Sequence, residues 1–124
     1  IVFGDWSSDV CSSDLYNTTY IGHGMYEPVP EPVSLGAVGK PSETVLLADA
    51  AYNNAGSVAA TNYLRAPSDW LFPWATAHFR HNETAGVAFC DGHVKATSKI
   101  YNLQPGTSEK FGSLSEDDSL YDLQ

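Results

Sequence analysis

Apolar and polar residues alternate over two short segments of the chain, residues 86–90 and 93–98. Alternation with a period of two is typical of a β-strand that buries one face. Only Asp91 and Gly92 separate the two segments, and Asp-Gly is a strong hairpin signal because a type I′ turn needs positive φ at both central residues. The pattern therefore predicts a β-hairpin with Asp91 and His93 at its outer end.

A two-residue loop would also fix the register of this hairpin. It places Phe89 opposite Val94 and Cys90 opposite His93, and facing residues share one side of a sheet. The prediction gives the hairpin one apolar face and one more polar face. The apolar face consists of Val87, Phe89, Val94 and Ala96, and the polar face consists of Ala88, Cys90, His93 and Lys95.

The rest of the chain predicts further strands joined by long loops. Residues 44–49 form a continuous apolar run ended by an acid, which indicates a buried central strand. Residues 16–25 have a strand-favouring composition, residues 51–57 are typical of a loop, and residues 58–65 fit a strand or a short helix. We therefore expect an α+β fold that is mostly β, with an antiparallel sheet of roughly three to five strands.

The charge of the chain limits the classes of partner. It has 6 basic and 15 acidic residues, with a net charge of −9. An acidic chain with scattered lysines and arginines lacks the basic surface that nucleic acids and anionic membranes require. No window approaches the roughly 20 apolar residues of a membrane-spanning helix.

One motif in the chain resembles a family signature. His81 is followed by nine residues and then by Asp91-Gly92, and this motif resembles the signature of the bacterial prepilin-type processing-associated proteins. Residues 41–49 resemble the segment that leads these proteins' central strand. The matching segments together span residues 41–98.

The resemblance implies a pseudopilin-like protein of a type IV pilin-like or type II secretion apparatus. Such proteins have a membrane-anchoring N-terminal helix and an extracytoplasmic head built on an antiparallel sheet. The resemblance implies a location in the cell envelope, a structural or assembly role without enzymatic activity, and other pilin-like or secretion-apparatus subunits as partners. It supplies no catalytic residues, and His81, Asp91 and Gly92 are expected to hold the signature hairpin.

The start of the chain resembles the translation of a common short-read sequencing adaptor. We therefore interpret residues 1–15 as a non-native, adaptor-derived segment, and residues 16–124 as the C-terminal part of a pseudopilin-like head domain that lacks its helix. Membrane contact is then expected only through that missing helix. Without Asp5, Asp9 and Asp14, 12 acidic residues remain against 6 basic ones, a balance of −6.

Several residues are candidate ligands for a divalent metal such as zinc or manganese, because imidazole and carboxylate groups bind these ions. They are Asp49, His78, His81, Asp91 and His93. The structural alternative is that Asp91 serves the turn itself and that His81 locks the loop before its strand. For His78 and His93 the alternative is a partly exposed surface imidazole. A metal-dependent hydrolase that uses Asp49, His81, Asp91 and His93 is the alternative function.

Two further groups of residues are candidates for binding. The first is an acidic cluster with hard oxygen ligands for calcium, as in some pseudopilin heads, although its spacing is not that of an EF-hand and a solvated tail is the alternative. This cluster consists of Glu116, Asp117, Asp118 and Asp122. The second is a row of aromatic side chains, Trp70, Phe72 and Trp74, which would suit a carbohydrate or a protein partner, or would instead cap the core. We expect no cofactor apart from calcium or another divalent metal at these sites.

Overall fold

The computed structural model describes residues 15–17, 19–21, 33–61, 63–69, 76–105 and 109–124. Nine β-strands lie within these residues, together with two short 3₁₀ helices, Leu35–Ala37 and Asp118–Leu120. The strands are β1 Leu15–Asn17, β2 Val45–Ala48, β3 Ala50–Asn54, β4 Ser57–Ala59, β5 Tyr63–Leu64, β6 Thr76–His78, β7 Ala85–Phe89, β8 Val94–Thr97 and β9 Phe111–Gly112. The prediction of a mostly β fold is confirmed, and the described residues contain no α-helix. None of their helices is long and apolar enough to cross a membrane.

The strands form two sheets. One has five strands in the order β5-β1-β2-β7-β8, and the other has four in the order β4-β3-β6-β9. The pairings are antiparallel except for that of β1 with β5, which is parallel. Between β2 of the first sheet and β3 of the second there is only one residue, Asp49.

The buried central strand that the apolar run predicts is present as β2. It lies between β1 and β7 in the five-stranded sheet, and Val45 and Ala48 are 0% and 1% exposed. The C-terminal segment completes the core around it, since Tyr121 is fully buried and its hydroxyl oxygen accepts a hydrogen bond from the Leu114 N–H at 2.9 Å. Asn17 joins the two, because its side-chain amide donates to the carbonyls of Val45 and Tyr121.

The predicted hairpin is present as β7 and β8, but its register differs from the prediction by one residue. Ala88, rather than Phe89, pairs with Val94. The Gly92 N–H donates to the Phe89 carbonyl at 2.9 Å, and Gly92 has a φ of +94° whereas Asp91 has no positive φ. This is the pattern of a type I turn closed by a glycine bulge, a loop of three residues instead of two. It spares Asp91 the left-handed conformation, which costs a non-glycine residue roughly 1–2 kcal/mol.

The shifted register changes which residues share a face, so the predicted apolar face was wrong. Val87 and Phe89 lie on the same side of the hairpin as Lys95 and His93. All five residues of β7 are buried, whereas Val94 is 51% exposed. The real division is therefore between the strands: β7 is an interior strand and β8 is an exposed edge.

A turn with two positive φ angles occurs before β7. Asn82 and Glu83 have φ values of 53° and 61°. The flanking residues His81 and Thr84 exchange two backbone hydrogen bonds of 3.1 Å, which is the pattern of a type I′ turn. The turn fixes His81 at the start of β7, so His81 and Asp91 lie at opposite ends of that strand.

Residues 51–57, predicted to be a loop, instead form most of the β3–β4 hairpin. Ala55 and Gly56 have φ values of 51° and 94°, and the Gly56 N–H donates to the Asn53 side chain at 2.8 Å. Polar residues at the exposed end of a hairpin resemble a loop in composition, so the local composition wrongly predicted a loop. Residues 58–65 contain the end of β4 and all of β5.

Candidate functional site

The centre of the candidate site is Asp49, at the junction of the two sheets. Its side chain is 7% exposed. Its backbone N–H donates to the Gly86 carbonyl at 3.0 Å, and its carbonyl accepts from the His78 N–H at 2.9 Å. The Gly86 N–H donates to Oδ2 of Asp49 at 2.8 Å. The carboxylate is thus held against the beginning of β7.

Two further side chains surround the same carboxylate. Nε of Arg80 lies 3.8 Å from Oδ1 of Asp49, and Nε2 of His81 lies 3.4 Å from Oδ2. Arg80 also donates from Nη2 to the Ala50 carbonyl at 2.9 Å, which fixes the guanidinium beside the junction. A buried carboxylate is tolerated only with such partners, because it has lost its hydration. We refer to Asp49, Arg80, His81 and Gly86 as the Asp49 cluster.

Asp91 and His93 form a separate pair at the other end of β7. Oδ1 of Asp91 accepts from the His93 backbone N–H at 3.1 Å and lies 2.5 Å from Nδ1 of His93. The backbone hydrogen bond and the adjacent imidazole lower the pKa of Asp91. The His93 ring stacks on Phe89, with 4.4 Å between centroids and an angle of 5° between planes. Asp91 thus bonds the backbone of its own turn, and the His93 side chain beside it is 46% exposed.

His78 does not lie on the surface, so the prediction of a partly exposed imidazole was wrong for this residue. It is 3% exposed, and its ring stacks on Phe111 at a centroid distance of 4.6 Å. Nε2 lies 3.2 Å from Oε2 of Glu109, while the buried Nδ1 has no hydrogen-bond partner in the described part of the chain. Burial lowers the pKa of His78, and the hydrogen bond to Glu109 opposes that effect.

The five predicted metal ligands therefore fall into three places. Asp49 contacts His81, Asp91 contacts His93, and His78 contacts a glutamate that was not predicted. Within the described ranges, no group of three or more histidine, cysteine, aspartate or glutamate side chains is placed to hold a metal ion. The metal site stays a prediction. The Asp91–His93 pair belongs to the hairpin, the Asp49–His81 pair to the sheet junction, and the His78–Glu109 pair to the core.

The acidic residues near the C-terminus take part in internal hydrogen bonds. Asp118 accepts from the hydroxyls of Tyr20 and Ser68 and from the Ser68 N–H, which ties three separate segments together. Burial and the bond to Asp118 raise the pKa of Tyr20. Asp117 accepts from the Ser119 N–H at 3.0 Å and so caps the second 3₁₀ helix.

Asp122 and Glu116 complete the predicted calcium group. The Asp122 side chain accepts from the Gln124 N–H at 3.1 Å, and the Glu116 carbonyl accepts from Asn102 at 3.2 Å. An open cleft of about 520 Å³ adjoins three of these acids and is lined by Pro67, Ser68, Asp117, Asp118, Ser119 and Asp122. The calcium site also stays a prediction. The aromatic row Trp70, Phe72 and Trp74 lies outside the described residues.

Sequence reasoning missed two partners that matter, Arg80 and Glu109. Arg80 stands directly before the motif histidine, but the motif gives it no role. An acid that ends an apolar run, as Asp49 does, is itself a signal, because it will be buried with the strand and will need a cation nearby. No comparable local signal connects His78 with Glu109, since the two are brought together by the pairing of β6 with β9.

Comparison of the chain with protein-family models, with curated proteins and with solved structures finds no match. The family resemblance therefore rests on the motif residues and stays a prediction.

Proposed function

We propose that this chain is the extracytoplasmic head domain of a prepilin-like cell-envelope protein, with a structural or assembly role in a pilus or secretion apparatus. It is not an enzyme under this proposal. Its partners are other pilin-like or secretion-apparatus subunits.

The observation that supports the proposal is that the two segments of the resemblance form one structural unit. Residues 41–49 contain β2, and the motif residues 81–92 contain β7. β2 and β7 are adjacent antiparallel strands in the middle of the five-stranded sheet. Two segments with a common structural role are expected to occur together in a protein family.

Contacts at both ends of this unit hold β2 and β7 together. At the outer end, the N–H groups of Cys90 and Asp91 donate to the carbonyls of Thr44 and Pro41 at 2.9 and 3.0 Å. At the inner end, the Asp49 cluster joins the motif histidine to the end of β2. The motif residues thus hold β2 and β7 in place over the length of the strands.

The same contacts favour a structural role over a catalytic one. A general base or a metal-bound carboxylate must reach its substrate or ion. The Asp49 carboxylate is 7% exposed and already accepts a backbone hydrogen bond, and Asp91 accepts from the backbone of its own turn. Both carboxylates therefore already accept hydrogen bonds that stabilise the fold.

The test of the proposal uses the complete gene. The protein encoded by the complete gene is produced in a bacterium with an active prepilin peptidase, and in parallel with an inactive peptidase as the control. We expect a shortened N-terminus by mass spectrometry only with the active enzyme, and a head domain that external protease reaches in spheroplasts. Chemical cross-linking should then join it to pilin-like subunits from the same genome.

The outcomes separate the parts of the proposal. A complete gene without an apolar N-terminal helix, or a protein that stays in the cytoplasm, would contradict the envelope location. Correct processing without any cross-link to a pilin-like subunit would contradict the assembly role. Metal-dependent hydrolysis by the purified head would contradict the non-enzymatic role.

A further inference from the structure

We propose that β8 is a docking edge for an acidic, extended segment of a partner protein, which adds to the five-stranded sheet as a further strand. The inference depends on the geometry and charge of β8 and not on the envelope role proposed above.

The first support is the position of β8 in the sheet. It ends the order β5-β1-β2-β7-β8, whereas the opposite edge strand contains the fully buried Leu64. The Phe89 N–H donates to the His93 carbonyl, on the side of β8. The N–H of the next residue, Cys90, points to the opposite side and donates to the Thr44 carbonyl, just before β2. In an antiparallel ladder this alternation turns the N–H and C=O groups of Val94 and Ala96 away from β7, towards the open edge.

The second support is the charge along this edge. The chain has six basic residues. Arg65 and Arg80 are largely buried against carboxylates of the interior, and Lys40 lies 3.6 Å from a neighbouring glutamate. Lys95 is exposed on β8. Lys99, two residues after the end of β8, is exposed and lies over the Tyr101 ring, 4.7 Å from its centroid, and Lys110 is exposed beside β9. Two of the four lysines of an acidic protein, Lys95 and Lys99, thus lie on or just after this edge strand.

The side chains of β8 also indicate the pattern of the partner. Lys95 lies on one face of the strand, and Val94 and Ala96 lie on the other, with Val94 51% exposed. A strand added at this edge would place an acid beside Lys95 and apolar residues beside Val94 and Ala96. The fitting partner therefore alternates acidic and apolar residues, and main-chain hydrogen bonds supply affinity as in other strand additions.

A second copy of the chain fits this edge less well. Pairing two β8 strands so that Val94 of each exchanges hydrogen bonds with Ala96 of the other places Lys95 opposite its own equivalent. Like charges directly opposite each other destabilise a strand pair, and an edge lysine is a common protection against self-pairing. An acidic strand turns the same lysine into an attractive contact.

The test is a titration of the isotopically labelled chain with two synthetic peptides, followed by amide NMR spectra. One peptide alternates glutamate and valine, and the other alternates lysine and valine. We expect the acidic peptide to give saturable shifts at the amides of Val94 and Ala96, which weaken with added salt. The basic peptide should give none.

Two pairs of variants make the test specific. Lys95→Glu should weaken binding about tenfold, because an attractive cross-strand pair becomes repulsive, whereas Lys110→Glu makes the same charge change beside β9 of the other sheet and should not. Ala96→Pro removes an outward N–H and should abolish binding, whereas Ala60→Pro, in an exposed coil, should not. The spectrum of each variant away from the substitution shows whether it is folded.

Three results of the peptide titrations would overturn the proposal. They are the absence of saturable shifts with the acidic peptide, equal shifts with both peptides, and binding that survives Ala96→Pro in a folded variant. Concentration-dependent shifts at the same amides without peptide would identify a second copy as the occupant, and would also overturn it.

Discussion

Asp49 places a carboxylate where water cannot solvate it, between two sheets and within one residue of each. The fold supplies a backbone N–H from Gly86, the guanidinium of Arg80 and the imidazole of His81 in place of that water. Gly86 belongs to β7, and Arg80 and His81 belong to the segment just before that strand. A single side chain thereby couples the end of β2 to the start of β7.

We expect Asp49→Asn to lower the free energy of unfolding by about 2 kcal/mol or more, since it removes the counter-charge of a mostly buried arginine. Urea unfolding measures the change. Glu43→Gln is the matched control, because the Glu43 side chain is 61% exposed beside Lys40 and such pairs contribute less than about 1 kcal/mol. Equal effects of the two substitutions would show that the Asp49 cluster is not a stabilising centre.

Glu83 is one of the described non-glycine residues with a positive φ. It has a φ of 61° at the second central position of a type I′ turn, where glycine is strongly preferred. We expect Glu83→Gly to raise the free energy of unfolding by about 1 kcal/mol, because the left-handed conformation costs nothing extra for glycine. Thermal unfolding of this variant beside Glu43→Gly, at a position without positive φ, measures the gain. A gain in both variants would mean that φ is not the cause.

At the scale of elements, two hairpin loops show how much of a turn's structure can be predicted from the sequence. The strand pair around Asp91-Gly92 was correctly located, because Asp-Gly and flanking alternation are local signals. Its register was not, because the same dipeptide fits a two-residue type I′ loop and a three-residue loop with a glycine bulge. Packing of β7 between β2 and β8 decides between them. The turn at Asn82-Glu83 carried no glycine and gave no comparable signal.

We expect Gly92→Val to destabilise the fold by about 1 kcal/mol or more, because it forces a β-branched residue to a φ of +94°. A Cβ added at Gly92 would meet no atom within 4 Å apart from its chain neighbours, so the expected effect comes from conformational strain and not from a clash of the Cβ. Gly36→Val is the control, since Gly36 also has open space around it but no positive φ. An unchanged melting temperature for Gly92→Val would count against the assigned turn.

At the scale of the whole molecule, His78 makes stability depend on pH. Burial lowers its pKa below the value of about 6.5 in an unfolded chain, the charge of Arg80 acts in the same direction, and Glu109 and Asp49 act in the opposite one. As the pH falls, His78 is therefore protonated at a higher pH in the unfolded chain than in the folded chain. The stability associated with neutral His78 is fully present above about pH 6.5 and is lost as the pH falls through the folded pKa.

His78→Phe should remove this dependence, because phenylalanine can still stack on Phe111 and carries no titrating group. We expect the parent to lose stability relative to the variant between about pH 7.5 and pH 5.5, by at most roughly 1.4 kcal/mol per pH unit. Urea unfolding of both proteins at the two pH values gives the difference. The same difference in stability at both pH values would contradict the role of His78.

The sequence by itself determined the structural features that depend on residues close together along the chain. The apolar run of β2, the location of the Asp91-Gly92 hairpin and the mostly β composition follow from periodicity and from turn residues, which act over a few positions. Only the tertiary structure decided the register of β8, the burial of His78 and the meeting of Asp49 with Arg80 and His81. Those features depend on which strands become neighbours, and that choice is made by burying apolar surface from distant segments together. A local pattern does not specify the partner, so it could not predict that Arg80 and His81 would meet Asp49 or that the fold would enclose His78.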